Sequence, residues 1–151
     1  MLSKQEIKNW LTSVFNGLNF NQNLGLKITA CDSDRAEIRF QWDDKLMGNP
    51  MQKILHGGVT ATALDTVGGV LAIYSRLDTM DIASQEDLIN FTKRVGTIDL
   101  RTDYLRPGRG NEFIATAKLI RSGSRVCVCR MELHNQSGDQ IAFGTGTYLV
   151  G

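Results

Sequence analysis

The segment GGVTATALDTVGGVLAIYS, residues 57–75, is the feature that most restricts how this chain can fold. It reads as one continuous helix that is apolar on nearly every side. A helix of that kind is buried by the rest of a fold, because no side of it suits a wet surface. Its only charge, Asp65, lies near its middle. Since burying an unpaired carboxylate costs several kcal/mol, Asp65 requires either a partner or a cavity beside it.

Small residues surround Asp65 on one side of this predicted helix. Ala61, Asp65, Gly68 and Ala72 follow one another at helical spacing, so they form a single stripe. Such a stripe lets another backbone or a thin ligand approach, and it predicts that Asp65 opens onto a narrow slot. The alternative is that Asp65 pairs with an internal arginine or a backbone amide, and the sequence favours neither.

The remaining pattern predicts an antiparallel sheet. Six runs have strand character: 25–31, 36–42, 96–105, 113–120, 125–135 and 141–150. The turns RPGRGN, RSGS and QSGD join the last four runs, and short turns of this kind connect antiparallel neighbours. One sheet and one apolar helix must bury each other. We therefore expect an α+β fold, a single domain over residues 1–151, with a curved sheet wrapped around the helix.

Two shorter helices are predicted by their first residues. Ser3 followed by Glu6 forms a capping-box pattern for an amphipathic helix over residues 3–15. Ser84 with Asp87 gives the same signal for a helix that ends near Phe91.

Bulk properties exclude several classes of protein. The net charge of +1 argues against nucleic-acid binding by electrostatics. The three cysteines include a Cys-x-Cys pair in an apolar run, which indicates reduced core thiols. The first ten residues lack the apolar core of a signal peptide. The long apolar segment contains Asp65, glycines and threonines, so it is a poor membrane span. We expect a soluble, cytoplasmic protein that does not bind membranes.

Three motifs carry a resemblance to a known family. The first is His56-Gly57-Gly58 with an acid, Asp65, eight residues after the first glycine. The second is the strand ending Tyr-Leu-Arg-Pro, residues 104–107, and the third is the basic turn in IRSGSRVCVC, residues 120–129. In this order and spacing, from about Leu24 onward, the chain closely resembles hotdog-fold thioesterases of the phenylacetate-pathway type.

The resemblance implies a fold, a reaction and an assembly. The fold is a strongly curved antiparallel sheet around one long helix, the hotdog fold. The reaction is hydrolysis of an acyl thioester, usually acyl-CoA, with no metal and no cofactor other than the coenzyme A of the substrate. The assembly is a homodimer, often paired into a homotetramer, with active sites shared between two chains.

The same resemblance assigns roles to the helix start. Gly57 is the expected oxyanion donor, because amides at a helix N-terminus point outward and carry the positive end of the macrodipole. Gly58 is expected to contact substrate. Asp65 is the expected general base or nucleophile. His56 either positions the substrate carbonyl or supports the loop and the helix start, and the second role is the better supported.

Two further site residues follow less directly. Relatives often place an asparagine six residues before the motif histidine, whereas here Asn49 stands seven residues before His56. Asn49 is therefore expected either to help hold the carbonyl or water, or to form a turn in Gly-Asn-Pro. Thr97 stands where some relatives orient the attacking water, and its alternative is an ordinary strand threonine.

Basic residues in the C-terminal half suit the phosphates of coenzyme A. Nine basic residues and three acids lie between Lys93 and Arg130. Arginine binds phosphate bidentately, so a cluster of strand-end arginines is expected to bind coenzyme A. The expected substrate-binding residues are Arg106, Pro107, Arg121, Gly123 and Arg125, with Arg109 in the same cluster. The alternative is solvated charge at strand ends.

Other activities remain open from the sequence. A hydroxyacyl-thioester dehydratase would pair His56 with Asp65, although the Asp-x-Asn-x-x-His stretch of hydratases is absent. A non-catalytic acyl-CoA-binding protein would have little use for a buried acid. Met47, Met51 and Leu55 precede the helix and predict an adaptable apolar tunnel, which favours medium or long acyl chains.

Overall fold

The computed structural model describes all residues, Met1–Gly151, and its elements follow the expected order. Four α-helices are present: α1 (Lys4–Gly17), α2 (Asn19–Leu24), α3 (Gly57–Leu77) and α4 (Gln85–Thr92). The strands are β1 (Lys27–Cys31), β2 (Arg35–Gln41), β3 (Gly96–Tyr104), β4 (Glu112–Ser122), β5 (Val126–Asn135) and β6 (Gln140–Leu149). A 3-10 turn, Asp44–Leu46, follows β2.

All six strands form one antiparallel sheet in the order β1-β2-β4-β5-β6-β3. Helix α3 packs against every strand, which requires the sheet to wrap around it. The expected hotdog architecture, a curved sheet around one long helix, is confirmed. The two edges of the sheet are β1 and β3, and β3 is the more exposed edge: the side chain of Ile98 in its middle is 56% exposed.

The core lies between α3 and the inner face of the sheet. Strand β5, most of β6 and the first half of β4 alternate buried and half-buried residues, as expected for a sheet with one covered face. The residues of α3 that are essentially inaccessible are Ala63, Leu64, Val67, Val70, Leu71, Ala72 and Leu77. Burial of these side chains, rather than helix propensity, stabilises a helix that contains four glycines, two in its first turn and two near its middle.

Both predicted capping boxes are present. The hydroxyl of Ser3 accepts from the backbone N–H of Glu6, whose carboxylate accepts from the N–H of Ser3. Ser84 and Asp87 exchange the same pair of bonds at the start of α4. Helix α2 and the 3-10 turn were not predicted, because each is too short to show a hydrophobic period.

The predicted stripe of small residues around Asp65 is not the wall of a slot. Gly68 and Ala72 face the sheet and are buried in the core. A Cβ atom on Gly68 would lie 2.9 Å from Cζ of Tyr148 and 3.0 Å from the Met131 sulfur. Gly68 is small because the Tyr148 ring packs there, and the open side of Asp65 lies on a different stripe of α3.

Helix α3 is long and apolar enough to cross a membrane, if length and composition alone are considered. However, 56% of its most apolar 18-residue window is buried inside the fold. That burial is typical of a core helix, which passes the same test of length and composition.

Candidate active site

The loop before α3 is held in place by backbone contacts on both sides of it. Met47 and Leu55 form an isolated antiparallel bridge, and the N–H of His56 donates to the Leu46 carbonyl at 2.8 Å. The Leu55 N–H donates to the carbonyl of Gly108, which follows the Tyr-Leu-Arg-Pro motif, at 2.9 Å. These bonds connect two motifs that are about fifty residues apart in sequence and fix where α3 begins.

His56 is the N-cap of α3. Its Nδ1 accepts a hydrogen bond from the backbone N–H of Gly58 at 2.8 Å, so the imidazole supports the helix start, as the better supported alternative predicted. This bond occupies the Gly58 amide. A Cβ on Gly58 would lie 3.0 Å from the same nitrogen. The substrate contact of Gly58 stays a prediction, and it would have to use atoms other than this amide, which binds His56; the lack of a side chain makes room for the imidazole.

The backbone N–H of Gly57 is the free donor of the motif. It is the first helical residue and has no acceptor within the chain. The hydroxyl of Tyr104 donates to the Gly57 carbonyl at 2.7 Å, and a Cβ on Gly57 would lie 3.4 Å from the Tyr104 ring. The arrangement leaves one outward amide at the positive end of a long helix, which suits a partial negative charge on oxygen.

A cavity of about 380 Å³ opens beside Gly57. It is lined by Ile54, Leu55, Gly57, Thr60, Tyr104, Leu105, Arg106, Pro107, Gly108 and Ile141. The structure thus brings the predicted residues Arg106 and Pro107 to the same cavity as the predicted oxyanion donor. The guanidinium of Arg106 also donates to the Gln140 carbonyl at 2.8 Å, which fixes its position.

Asp65 lies on the other side of α3, half-buried, in a second cavity of about 330 Å³. Its Oδ1 accepts a hydrogen bond from the hydroxyl of Thr97 at 2.9 Å, and its backbone carbonyl accepts one from Tyr148 at 3.1 Å. No arginine or lysine forms an ion pair with it. The alternative that Asp65 pairs with an internal arginine or a backbone amide is therefore wrong.

The cavity beside Asp65 is mostly apolar. Its lining comes from the end of α1, from α2, from one stripe of α3 and from β3 and β6: Phe15, Leu18, Phe20, Asn21, Thr62, Asp65, Thr66, Gly69, Ile73, Val95, Gly96, Thr97, Tyr148 and Leu149. Met47, Met51 and Leu55 do not contribute to it, and Met51 is 88% exposed. The prediction that these three residues line the acyl tunnel does not hold for the cavity that contains Asp65.

Tyr148 was not predicted as a site residue. It is 3% exposed, and burial next to Asp65 raises the pKa of its phenol above the ordinary value. The phenol therefore remains a hydrogen-bond donor to the Asp65 carbonyl. A tyrosine in the last strand gives no local signal of this role, because the contact spans 83 residues.

Within one chain, the predicted acid and the predicted oxyanion donor do not face each other. Eight residues of α-helix separate Gly57 from Asp65, a rise of about 12 Å. The two residues also line different cavities. One chain alone therefore does not place the carboxylate and the free amide on the same small group.

The predicted arginine cluster is also divided. Arg106 and Arg109 lie in the β3–β4 connection, whereas Arg121 and Arg125 lie at and after the far end of β4. Strand β4 has 11 residues, which span more than about 30 Å. The prediction of one cluster is wrong for a single chain, because an antiparallel strand carries its two flanking turns to opposite ends of the sheet.

The β3–β4 connection and the β4–β5 turn differ in which of their polar groups are already hydrogen-bonded. Arg109 donates to the Gln52 side chain at 2.7 Å, while Arg121 and Arg125 are exposed and their side chains bind no other group. The N–H of Gly123 donates to the Val126 carbonyl at 2.9 Å and closes the β4–β5 hairpin. The Gly123 amide is thus committed to the turn, so the predicted contact of Gly123 with substrate would have to use its other atoms.

Asn49 forms a turn. Its side-chain oxygen accepts from the Met51 N–H at 2.9 Å, and the residue lines neither cavity. The alternative of a Gly-Asn-Pro turn is therefore correct for its oxygen, and its predicted contact with the carbonyl or water is not seen within one chain. Thr97, in contrast, lies beside Asp65 as described above.

Comparison with known proteins finds a matching family model and similar sequences. Residues 52–142 match the family model described as the thioesterase superfamily. A medium/long-chain acyl-CoA thioesterase, YigI of Salmonella typhimurium, is 46% identical over 132 residues, which cover 87% of this chain and 85% of the relative.

Solved structures agree in fold. A Shewanella oneidensis protein related to the thioesterase superfamily is 48% identical, with a TM-score of 0.92 over 98% of this chain and 97% of the other. The PaaI protein of the Escherichia coli phenylacetic acid degradation operon is 19% identical, with a TM-score of 0.78 over 98% of this chain and 95% of the other. The second likeness concerns the fold alone.

Proposed function

The chain belongs to the thioesterase superfamily, and from this premise we propose that it hydrolyses medium- or long-chain acyl-CoA to a free acid and coenzyme A. The close YigI relatives are thioesterases with this range of substrates. The observation that carries the proposal is Asp65, a carboxylate without a counter-ion, held by Thr97 in a mostly apolar cavity. A carboxylate in that setting is suited to act on a thioester whose acyl chain occupies the apolar space.

The proposed reaction uses the two ends of the site differently. The free amide of Gly57 binds the thioester oxygen, which gains negative charge as the tetrahedral intermediate forms. Asp65 either removes a proton from the attacking water or attacks the carbonyl carbon itself, and Thr97 orients the carboxylate. The intermediate then expels the coenzyme A thiolate, a good leaving group, so the reaction needs no further acid. Where Asp65 is the nucleophile, this step leaves a mixed anhydride between Asp65 and the acyl group, which water hydrolyses to the free acid and the restored carboxylate.

Substitution of Asp65 by asparagine tests the role of the carboxylate. Asp65→Asn keeps the size of the side chain and can still accept a bond from Thr97, but it cannot take up a proton. We expect kcat to fall by about 10²–10⁴-fold with acyl-CoA binding retained. The melting temperature should hold, because no ion pair is lost. A lower melting temperature with unchanged kcat per folded molecule would show that Asp65 is only structural.

Substitution of Gly57 by proline tests the oxyanion site. Proline lacks the N–H but suits the first helical position, and His56 already has the extended backbone (φ −60°, ψ 135°) that a residue before proline adopts. Gly57→Pro should therefore keep the helix start and lower kcat by about 10²–10³-fold. An unchanged kcat in the folded variant would contradict the role of this amide.

We propose that the active unit is a homodimer in which β3 pairs with β3 of a second copy. Strand β3 is an exposed edge, and its first residues bind Asp65 through Thr97, while its last residue binds Gly57 through Tyr104. Antiparallel pairing of two β3 edges would place the start of one strand beside the end of the other. Asp65 of one chain would then approach Gly57 of its partner, which one chain cannot achieve. Two such dimers pairing into a tetramer would leave this arrangement unchanged.

Mixed dimers of the two inactive variants test this arrangement. A dimer of one Asp65→Asn chain and one Gly57→Pro chain keeps one intact site if each site draws on both chains. Co-refolding the two variants should therefore restore activity to about half of the wild-type value per mixed dimer. No recovery, or a fully active monomer in sedimentation, would contradict the shared site.

We propose that Arg121 and Arg125 bind the phosphates of coenzyme A, because their guanidinium groups are exposed and free. Arg121→Gln should raise KM for acyl-CoA with little change in kcat, because phosphate binding is the same in the ground and transition states. Lys27→Gln, which neutralises an exposed charge on the edge strand β1, serves as the matched control. Equal KM values for the two variants would show that the Arg121 charge is merely solvated.

Release of free thiol from a panel of acyl-CoAs separates the proposed hydrolysis from its alternatives. A dehydratase would change the acyl group without releasing thiol, and a binding protein would do neither. Hydrolysis is favoured by the engagement of His56 Nδ1 in the helix cap, since that nitrogen is then not free to act as a base.

A further inference from the structure

The cavity beside Asp65 continues past the carboxylate under an elbow formed by the N-terminal helices. Its floor is a stripe of α3 that runs from Asp65 through Gly69 to Ile73. Its roof is the α1–α2 elbow, defined by Phe15, Leu18 and Phe20. None of the three family-like motifs includes a roof residue.

The elbow holds large apolar side chains at the protein surface. Phe20 is 60% exposed and Leu18 is 45% exposed, although burial of such side chains is favourable. The elbow is not a loose segment: Asn21 is 5% exposed and donates to the Phe15 carbonyl at 2.8 Å, and Asn16 accepts from the Ile28 N–H at 2.9 Å. A polar side chain, itself almost fully buried, thus fixes an apolar roof above the acid.

The floor has the length of a medium acyl chain. From Asp65 to Ile73 the helix rises about 12 Å. A fully extended peptide backbone advances about 1.2 Å per bond, and a saturated hydrocarbon has similar bond lengths and angles, so the floor accommodates about ten bonds. The volume of about 330 Å³ agrees with a ligand that is thin and apolar.

We infer that the α1–α2 elbow and the Gly69–Ile73 floor form the acyl-chain channel of this protein and set its chain-length preference. The inference rests on the proposed thioester hydrolysis. The occupant is the saturated acyl chain of the substrate, because the carboxylate proposed to act on the thioester carbonyl lies in a groove whose lining is mostly apolar. Phe20 covers the chain from outside, and Gly69 leaves space for it inside.

The first test shortens the roof. Phe20→Ala removes exposed aromatic surface, so the fold should tolerate it, and Ile89→Ala, an exposed apolar side chain on α4 outside the cavity, is the matched control. We expect the ratio of kcat/KM for dodecanoyl-CoA to that for butanoyl-CoA to fall about tenfold in Phe20→Ala and to stay at the wild-type value in Ile89→Ala. Equal losses on both substrates, together with loss of the dimer in sedimentation, would overturn the inference and make the elbow a subunit contact.

The second test fills the floor. A Cβ on Gly69 would lie 3.6 Å from the Tyr148 ring, an ordinary contact, so Gly69→Ala should fold and add a methyl group to the channel. We expect the same ratio to fall, with a melting temperature at or above the wild-type value. An unchanged ratio in this folded variant would overturn the inference.

A binding measurement separates failure of the inference from failure of the proposed function. Calorimetric titration with dodecanoic acid does not depend on turnover, and Phe20→Ala should bind it about tenfold more weakly than the wild type. Absence of thiol release from every acyl-CoA, with this difference in binding intact, would reject the hydrolysis alone. Thiol release with equal binding by the two proteins would reject the channel alone.

Discussion

The environment of Asp65 is set by hydroxyl groups. Thr97 binds its carboxylate and Tyr148 binds its backbone carbonyl, and no cation neutralises it. A carboxylate paired with arginine would be a weaker base and a weaker nucleophile. The absence of a counter-ion is therefore consistent with a carboxylate that acts as a base or a nucleophile.

The Thr97 hydroxyl is expected to position Asp65. Thr97→Ala should lower kcat about tenfold with KM nearly unchanged, because the carboxylate loses its only side-chain partner. Thr97→Ser, which restores the hydroxyl, should recover most of the activity. Steady-state kinetics of the two variants check this, and equal kcat values in Thr97→Ala and wild type would contradict it.

Adjacent glycines of α3 should respond in opposite ways to the same substitution. Gly68→Ala places a methyl group against the buried Tyr148 ring and should destabilise the fold by about 1–3 kcal/mol. Gly69→Ala meets only an ordinary contact and should stabilise it by up to about 1 kcal/mol, as alanine does within helices. Urea unfolding of both variants measures the difference, and similar midpoints would contradict the packing described.

At the scale of secondary-structure elements, capping side chains fix the residues at which α1, α3 and α4 begin. His56 caps α3 with a ring nitrogen, and Ser3 and Ser84 cap α1 and α4 with hydroxyls. The long helix thus begins at a fixed residue, which keeps the Gly57 amide outward and unoccupied.

Removal of the α4 cap should have a measurable cost. Ser84→Ala loses the hydroxyl that accepts from the Asp87 N–H, and it should lower the free energy of unfolding by about 1 kcal/mol. Ser13→Ala, an exposed serine inside α1 whose side chain forms no hydrogen bond, is the control and should change stability little. Denaturant unfolding checks both, and equal effects would argue against the cap.

At the scale of the whole molecule, buried thiols make the free energy of unfolding depend on pH. Burial raises the pKa of Cys31 and of Cys129 to about 12, from an ordinary value of 9.0. Each thiol is free and protonated inside the fold, so its contribution to stability is complete below pH 9 and is lost as pH rises from 9 towards 12. The free energy of unfolding should therefore decline above pH 9.

A cysteine variant separates this contribution from other alkaline effects. Cys129→Ala removes one titrating thiol, so the decline in unfolding free energy between pH 8 and pH 10.5 should be smaller than in the wild type, at a lower stability overall. Urea titrations at the two pH values provide the measurement. An equal decline in both proteins would show that Cys129 does not contribute.

The sequence by itself determined the elements and the individual groups of the site. Hydrophobic period, capping boxes and glycine turns are local signals, and they predicted α1, α3, α4 and all six strands. The His-Gly-Gly motif with Asp65, through its resemblance to a known family, predicted which carboxylate and which amide belong to the site, and both lie within one helix.

Only the tertiary structure decided what lies beside these groups. Thr97, a site residue suggested by the resemblance, binds the Asp65 carboxylate across 32 residues, and Tyr148, which nothing in the sequence suggested, binds its carbonyl across 83 residues. The α1–α2 roof closes over α3 from the N-terminal end of the chain. The tertiary structure also separated the predicted arginine cluster into two groups, because β4 carries its two flanking turns to opposite ends of the sheet. It placed Gly57 and Asp65 in separate cavities. Sequence spacing measures distance along the chain, whereas such contacts depend on how a sheet curves around a helix, which no local pattern records.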